Sequence, residues 1–203
     1  MIAIVDYNMG NLASVKNAFA KLNKKVVVES NPQKFQNYDK IILPGVGAFG
    51  DAMEHLKEQN MVEALKEFAK SGKYMLGICL GMQLLFQSSE EFGKHEGLGL
   101  IEGDVVRFDE DKFEQKLKVP HMGWNRMFTS KHPLFEGLDE EHYLYFVHTY
   151  HVKCKNEQDI IGETHYGYKF TSAVASKNIL GIQPHPEKSH DNGLKILQNF
   201  INL

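Results

Sequence analysis

Four short apolar runs alternate with amphipathic stretches across the first 98 residues, and few folds accommodate that pattern. Ile2–Val5, Val26–Val28, Ile41–Leu43 and Tyr74–Ile78 are too short for helices and show no polar alternation. Such runs suit strands buried on both faces. Between the first two runs, Leu12, Val15, Phe19 and Leu22 recur at helical spacing, which predicts a helix over residues 11–22. Asn31-Pro32 opens a polar connection. Helical spacing returns from Asp51 and again at Met61, Ala64, Leu65 and Phe68, and residues 80–86 read as a further helix. Strands that alternate with helices make βαβ units and a mostly parallel sheet, an α/β fold.

The pattern changes near residue 98. From Leu98 to Ala175 it is shorter and richer in strands. Tyr143–Val147 is one candidate, and Ile160–Thr164 with Phe170–Ala175 reads as a hairpin around Tyr166-Gly167-Tyr168. Ile179–Ile182 is again a buried strand, and Leu194, Leu197 and Ile201 mark a closing helix. No Ser- or Gly-rich linker divides the chain and no repeat is visible, so one domain over residues 1–203 gains antiparallel strands at its sheet edge. Asp109-Glu110-Asp111-Lys112 and the pair Glu90-Glu91 read as solvated loops.

Composition excludes several functions. With 42% hydrophobic and 24% charged residues, the chain is ordinary globular protein rather than disordered or collagenous. A net charge of −3 offers no bulk attraction to nucleic acid or an anionic membrane. The opening run meets Asp6 too early for a signal peptide and lacks a basic leader. Tyr74–Phe86, interrupted by Gly77, Gly81 and Gln83, is too short to span a bilayer. A cytoplasmic location is expected. Two cysteines, Cys79 and Cys154, make no disulfide framework.

Gly77-Ile78-Cys79-Leu80-Gly81-Met82-Gln83 carries the strongest chemical signal. A strand enters Cys79, a helix leaves it, and glycines at i−2 and i+2 permit close backbone approach, as in a nucleophile elbow. The helix N-terminus favours a thiolate, and the Leu80 N–H is placed for an oxyanion. The competing reading is a buried structural cysteine between packing glycines. His185 follows the strand Ile179–Ile182, so a parallel sheet brings it to the same edge as Cys79. Glu187, two positions on, points the same way in extended backbone and is placed to orient the imidazole. A proline-rich surface turn with an incidental histidine is the alternative. Pro44-Gly45-Val46-Gly47-Ala48-Phe49-Gly50 ends another strand at that edge and suits exposed N–H groups, but lacks the Lys-Ser/Thr of a phosphate loop. His148 and His151 have no further ligands at metal-site spacing, so no metal is expected. Cys154, in Lys153-Cys154-Lys155, has no motif. Trp124 is either core or an interface anchor.

Six segments together resemble the class I glutamine amidotransferases, and within them the glutaminase subunits of imidazole glycerol phosphate synthases. They are Asp6-Tyr7-Asn8-Met9-Gly10-Asn11-Leu12, residues 43–49, residues 77–83, Pro120-His121-Met122-Gly123-Trp124-Asn125, Tyr145-Phe146-Val147-His148-Thr149-Tyr150 and His185-Pro186-Glu187-Lys188-Ser189. The resemblance runs from residue 1 to the last helix. It implies a three-layer α/β fold and glutamine as substrate, with no cofactor. It makes Cys79 the nucleophile, His185 the acid/base and Glu187 its orienter. The oxyanion falls to the Leu80 N–H and to backbone at Val46-Gly47, after a peptide rotation there. Gly47, Gln83, Thr149 and Tyr150 match positions that hold glutamine. Asn11, Ser14, Trp124 and Lys188 match positions that meet a (β/α)₈ cyclase partner, to which ammonia passes through a tunnel. There it converts the ribulosyl intermediate PRFAR to imidazole glycerol phosphate and AICAR, in histidine biosynthesis. One departure is Pro184, where the family commonly has Phe; proline removes a donor and biases Gln183 to extended geometry. Two alternatives are a related glutaminase feeding another synthase, such as one that amidates surface sugars, and a cysteine hydrolase or peptidase of the same fold.

Overall fold

The computed structural model describes residues 1–203. The first half alternates as β1 (Ile2–Val5), α1 (Leu12–Lys21), β2 (Val26–Glu29), β3 (Lys40–Gly45), α2 (Phe49–Glu58), α3 (Met61–Lys70), β4 (Tyr74–Cys79) and α4 (Leu80–Leu84). Two short strands follow, β5 (Ser88–Ser89) and β6 (His95–Glu96). Then come β7 (Gly103–Arg107), β8 (His121–Thr129), β9 (Tyr143–His148), β10 (Tyr150–Cys154), β11 (Ile160–Tyr166), β12 (Tyr168–Ser176), β13 (Ile179–Ile182) and α5 (His190–Asn202). The polar connection after Asn31 is a 3₁₀ helix over Pro32–Asn37, and part of the acidic loop, Glu110–Lys112, is another.

The main sheet runs β2-β1-β3-β4-β13-β12-β10-β7-β5-β6. Its first five strands are parallel. From β13 onward the pairing turns antiparallel, through β12, β10 and β7. The expected hairpin is β11–β12, closed at Gly167 with φ +72°. From β11 the ladder continues into β8 and then β9. The parallel core with antiparallel additions therefore stands as read, and β7, β8 and β10 are strands for which the sequence pattern supplied no candidate.

Pleating of the parallel strands creates two cores. Ala3, Val5, Ile41 and Leu43 face one side with Phe49, Met53 and Leu56 of α2 and Leu65 and Phe68 of α3. Ile2, Ile4 and Ile42 face the other, against Val15 and Phe19 of α1 and Ile196, Leu197 and Phe200 of α5. These side chains are buried, each worth about 1.5–3 kcal/mol. The result is helix, sheet, helix. Lys40 ties the middle layer to α5, donating from Nζ to the carbonyls of Phe200 (3.0 Å) and Ile201 (2.6 Å). No helix is long and apolar enough to cross a membrane.

The junction of β4 and α4 is the tightest place in this frame. Register pairs Gly45 with Cys79 on one side and Ile182 with Ile78 on the other, so the chain leaving β13 passes beside Cys79. A Cβ on Gly81 would lie 1.8 Å from the Leu43 carbonyl oxygen, and one on Gly77 would lie 2.6 Å from the Gly81 carbonyl oxygen. Both obstacles are backbone, which no rotamer change relieves. Gly81→Ala is therefore expected to destabilise the protein by about 3 kcal/mol or more, read as a lower urea midpoint. An unchanged midpoint would contradict this close approach.

Candidate active site

Cys79 occupies a turn that few L-residues adopt, with φ +54° and ψ −114°. It is held there by fully packed neighbours, since Leu80, Met82 and Leu84 of α4 are all buried. Strain at a residue of this kind costs about 1–3 kcal/mol and points to function. The side chain is directed to a cavity of about 300 Å³. That is small-ligand size.

His185 is fixed before its ring does anything. Its N–H donates to the Tyr145 carbonyl (2.8 Å), and its own carbonyl accepts from the Ser189 hydroxyl (2.6 Å). The same hydroxyl oxygen accepts the N–H of Tyr145 (2.9 Å), so Ser189 pins the histidine to β9. Pro184 fits between two satisfied donors: Gln183 N–H donates to Ser172 O at 2.8 Å, and His185 N–H to β9. The His185 Nδ1–H donates to Glu187 Oε1 at 2.7 Å, with the Glu187 side chain 1% exposed. The two residues meet, but not through extended backbone: Pro186–Lys188 is a 3₁₀ turn that folds Glu187 back under the ring. That leaves Nε2 for the Cys79 sulfur.

Burial opposes a charge on His185. Hydrogen bonding and attraction from Cys79, then from Glu187, outweigh it and push the imidazolium up to about 10. The ring is therefore protonated at neutral pH, ready to act as an acid. Cys154 is half-buried and away from the cavity, with its thiol pushed up to about 12 by burial.

The other expected residues converge on the same cavity. Val46, Gly47, Leu80, Gln83, Thr149 and Tyr150 line it with Cys79 and His185. Gly47 sits at φ +96°, a conformation suited to glycine. The Val46 N–H is not available to an oxyanion here, because it donates to the Met9 carbonyl at 2.9 Å. Leu80 supplies the first amide of α4 at the elbow.

Glu91 corrects the reading of Glu90-Glu91 as solvated. Its side chain lines the cavity, and its Oε2 accepts the Phe49 N–H at 2.7 Å. The N-cap of α2 is Ala48, which has no capping side chain, so a carboxylate 42 residues away satisfies the helix start. Burial raises the Glu91 carboxyl, against pulls from the Phe49 N–H and His95. Sequence alone carried no signal for that long-range cap. His148 also lines the cavity but bonds other groups, and no cluster of His, Cys, Asp or Glu is arranged for a metal ion.

The four expected partner-facing residues lie on the outer surface near Glu187. Asn11 caps α1, accepting the Ser14 N–H at 3.3 Å. Ser14, Lys188 and Glu187 border one shallow cavity. Trp124 is 48% exposed, stacked on His190 at 5.0 Å, and Lys188 Nζ lies 5.9 Å over the Tyr145 ring. Trp124 is thus a surface residue rather than core. Met122 and Phe128 on the same strand are also exposed.

Comparison with known proteins agrees with this geometry. The family model for glutamine amidotransferase class-I matches residues 3–203. Imidazole glycerol phosphate synthase subunit HisH of Sulfurimonas denitrificans is 76% identical over 98% of this chain and 97% of its own length. The subunit of that name from Wolinella succinogenes is 56% identical over the full length of both chains. A crystal structure of a glutamine amidotransferase superimposes with TM-score 0.75 at 17% identity, covering 98% of each chain, which shows the fold.

The raised proton affinity of His185, due first to Cys79 and then to Glu187, has a pH signature. A histidine raised from 6.5 to about 10 in the folded state stabilises fully below about 6.5, and that contribution is lost as pH rises through about 10. The unfolding free energy of the native protein should fall across this window by more than that of His185→Asn, in urea titrations at stepped pH. Parallel profiles for the two proteins would contradict the pairing.

Proposed function

This chain belongs to the class I glutamine amidotransferase family, and on that premise we propose that it is the glutaminase subunit of an imidazole glycerol phosphate synthase, working in the cytoplasm. The observation that carries the reading is the Cys79–His185–Glu187 constellation opening on an amino-acid-sized cavity that also presents Gln83 and Glu91.

Glutamine is zwitterionic, and the cavity supplies a counterpart for its cationic end. The Glu91 carboxylate takes the α-ammonium, which restores the charge balance that burial disturbs. Gln83 and the backbone at Gly47, Thr149 and Tyr150 hold the rest of the molecule. The Cys79 sulfur attacks the γ-carbonyl carbon, forming a C–S bond and a tetrahedral oxyanion. His185 gives its proton to the amide nitrogen, the C–N bond breaks, and ammonia leaves. A water molecule then attacks the thioester. His185 takes its proton, the C–S bond breaks, and glutamate departs with the thiolate restored. The balance is glutamine plus water to glutamate plus ammonia.

The Leu80 amide is one oxyanion donor in this scheme. The second requires the Val46 peptide to rotate away from Met9, because its N–H is bonded there. Met9 lies two residues before Asn11, on the partner-facing side, which favours a turnover that stays latent until a partner docks. Met122, Trp124 and Phe128 give that docking an exposed apolar strand face. The partner is a (β/α)₈ cyclase. A protected path to it matters because ammonia released to bulk water is protonated and lost as a nucleophile.

Cys79→Ala should abolish glutamine-driven synthesis by the reconstituted complex and leave ammonium-driven synthesis intact. Persisting glutamine-driven turnover would sink the triad assignment. Robust glutamine hydrolysis by the isolated wild-type chain would contradict latency. Glu91→Gln should raise KM for glutamine about 10–100-fold, the value of one charge-assisted hydrogen bond, with a smaller effect on kcat. An unchanged KM in steady-state assays would remove Glu91 from substrate recognition.

A further inference from the structure

A chain of hydrogen bonds runs inward from strand β8 to Cys79, and every link has only one possible direction. Asn125 Nδ2 donates to the His165 carbonyl (2.9 Å) and is 3.1 Å from His121 Nε2. Its Oδ1 is occupied by the Arg126 N–H (2.8 Å), so the amide cannot be turned round. His121 Nε2 is therefore an acceptor. Its Nδ1–H then donates to His148 Nε2 at 2.9 Å. His148 Nδ1–H donates in turn to the Tyr150 carbonyl at 2.8 Å.

That carbonyl can only accept, and it also receives Gln83 Nε2 at 3.0 Å. The second proton of Gln83 Nε2 goes to Gln183 Oε1, again at 3.0 Å. With its oxygen committed, Gln183 turns Nε2 toward Cys79 Sγ, 3.7 Å away. Gln183 is fully buried. Backbone carbonyls at both His165 and Tyr150 thus fix the polarity of the chain, and its last link presents an N–H donor to the sulfur, whose own S–H faces the Val147 carbonyl at 3.9 Å.

We propose that Gln183 is a positioning residue for the nucleophile, a neutral N–H donor that stabilises negative charge on the Cys79 sulfur and whose orientation the Tyr150 carbonyl fixes through Gln83. A hydrogen bond to the charged form of a group favours that form. The two relay histidines keep their tautomers because burial holds them neutral: His121 is lowered to about 4, and His148 falls well below its ordinary value. The other titratable groups around the sulfur are His185, from the turn after β13, and Tyr7, from the turn after β1. Tyr7 is no competing donor, since its hydroxyl proton is committed to the Pro44 carbonyl at 2.8 Å. With both Gln83 protons used, its Oε1 alone is left for the substrate, as an acceptor.

This inference rests on Cys79 being the nucleophile, and its test is independent of turnover. Carboxamidomethylation of Cys79 by iodoacetamide is followed against pH in the purified full chain, with peptide mass spectrometry separating Cys79 from Cys154. Gln183→Met keeps the volume and removes the donor; its profile should move alkaline by about 1 pH unit, or about 10-fold in rate at a fixed pH below the plateau. Gln183→Glu keeps an acceptor for Gln83 and turns a carboxylate oxygen to the sulfur, so its shift should be larger. A merely structural role would lower stability in both variants and leave the profile in place. A profile that coincides with the wild type in either folded variant overturns the inference. Glutamine-driven turnover that survives Cys79→Ala would remove the premise instead, and the two failures are distinct.

Discussion

At Gly81 the backbone of α4 presses so closely on the Leu43 carbonyl of β3 that even a methyl group is excluded. That contact decides where the chemistry can be. It holds the end of β3, with Gly45, Val46 and Gly47, against the start of α4, and Cys79 is caught between them at a positive φ. A cysteine in a relaxed conformation would follow β4 into the core. Here the burial of Leu80, Met82 and Leu84 is secured only if the chain turns at Cys79, so packing of about 1.5–3 kcal/mol per side chain offsets the strain of the turn. Cys79, the first α4 amide and the end of β3 at Gly45 are thus packed as one unit.

Parallel strands announce themselves because both faces are buried. Ile2–Val5 and Ile41–Leu43 are continuous apolar runs for that reason, and the five-strand parallel core, its helices and the meeting of Cys79 with His185 were legible from such runs and from register. The antiparallel half obeys a different rule. In β8, Met122, Trp124 and Phe128 face outward while His121 and Met127 face the core, so apolar residues mark the exposed face and the usual alternation inverts. β10 buries His151 beside Val152, and β7 contains Asp104 and Arg107; neither resembles a core strand in isolation. The cavity-lining role of Glu91 was hidden for another reason. It depends on an uncapped helix start 42 residues away, and no local pattern encodes that pairing.

The resting oxyanion site follows from backbone bookkeeping. An amide that will serve a transient charge must be satisfied while it waits, since an unpaired buried N–H costs as much as a lost hydrogen bond. Val46 meets this requirement by donating to Met9. Burying an unpaired donor aimed at empty space would have been the alternative. On the proposed mechanism, the bond to Met9 makes an inactive arrangement the stable one, and ties its release to the segment that runs into Asn11.

Three histidines near the cavity reach opposite protonation states, and the difference lies in their neighbours. His121, His148 and His185 are all buried. His121 and His148 hydrogen-bond only neutral groups, an amide, each other and a carbonyl, and His185 nearby further disfavours charge on His148. Burial then wins, and both lose affinity for a second proton. His185 has the Glu187 carboxylate at 2.7 Å and the sulfur of Cys79 opposite, and its affinity rises. His148 lines the same cavity as His185, so two acids competing for one leaving group were a structural possibility. Withholding a carboxylate from His148 removes that ambiguity. On the proposed mechanism, the one imidazolium at the cavity is the one whose remaining nitrogen faces Cys79, and the proton delivered to the departing nitrogen has a single source.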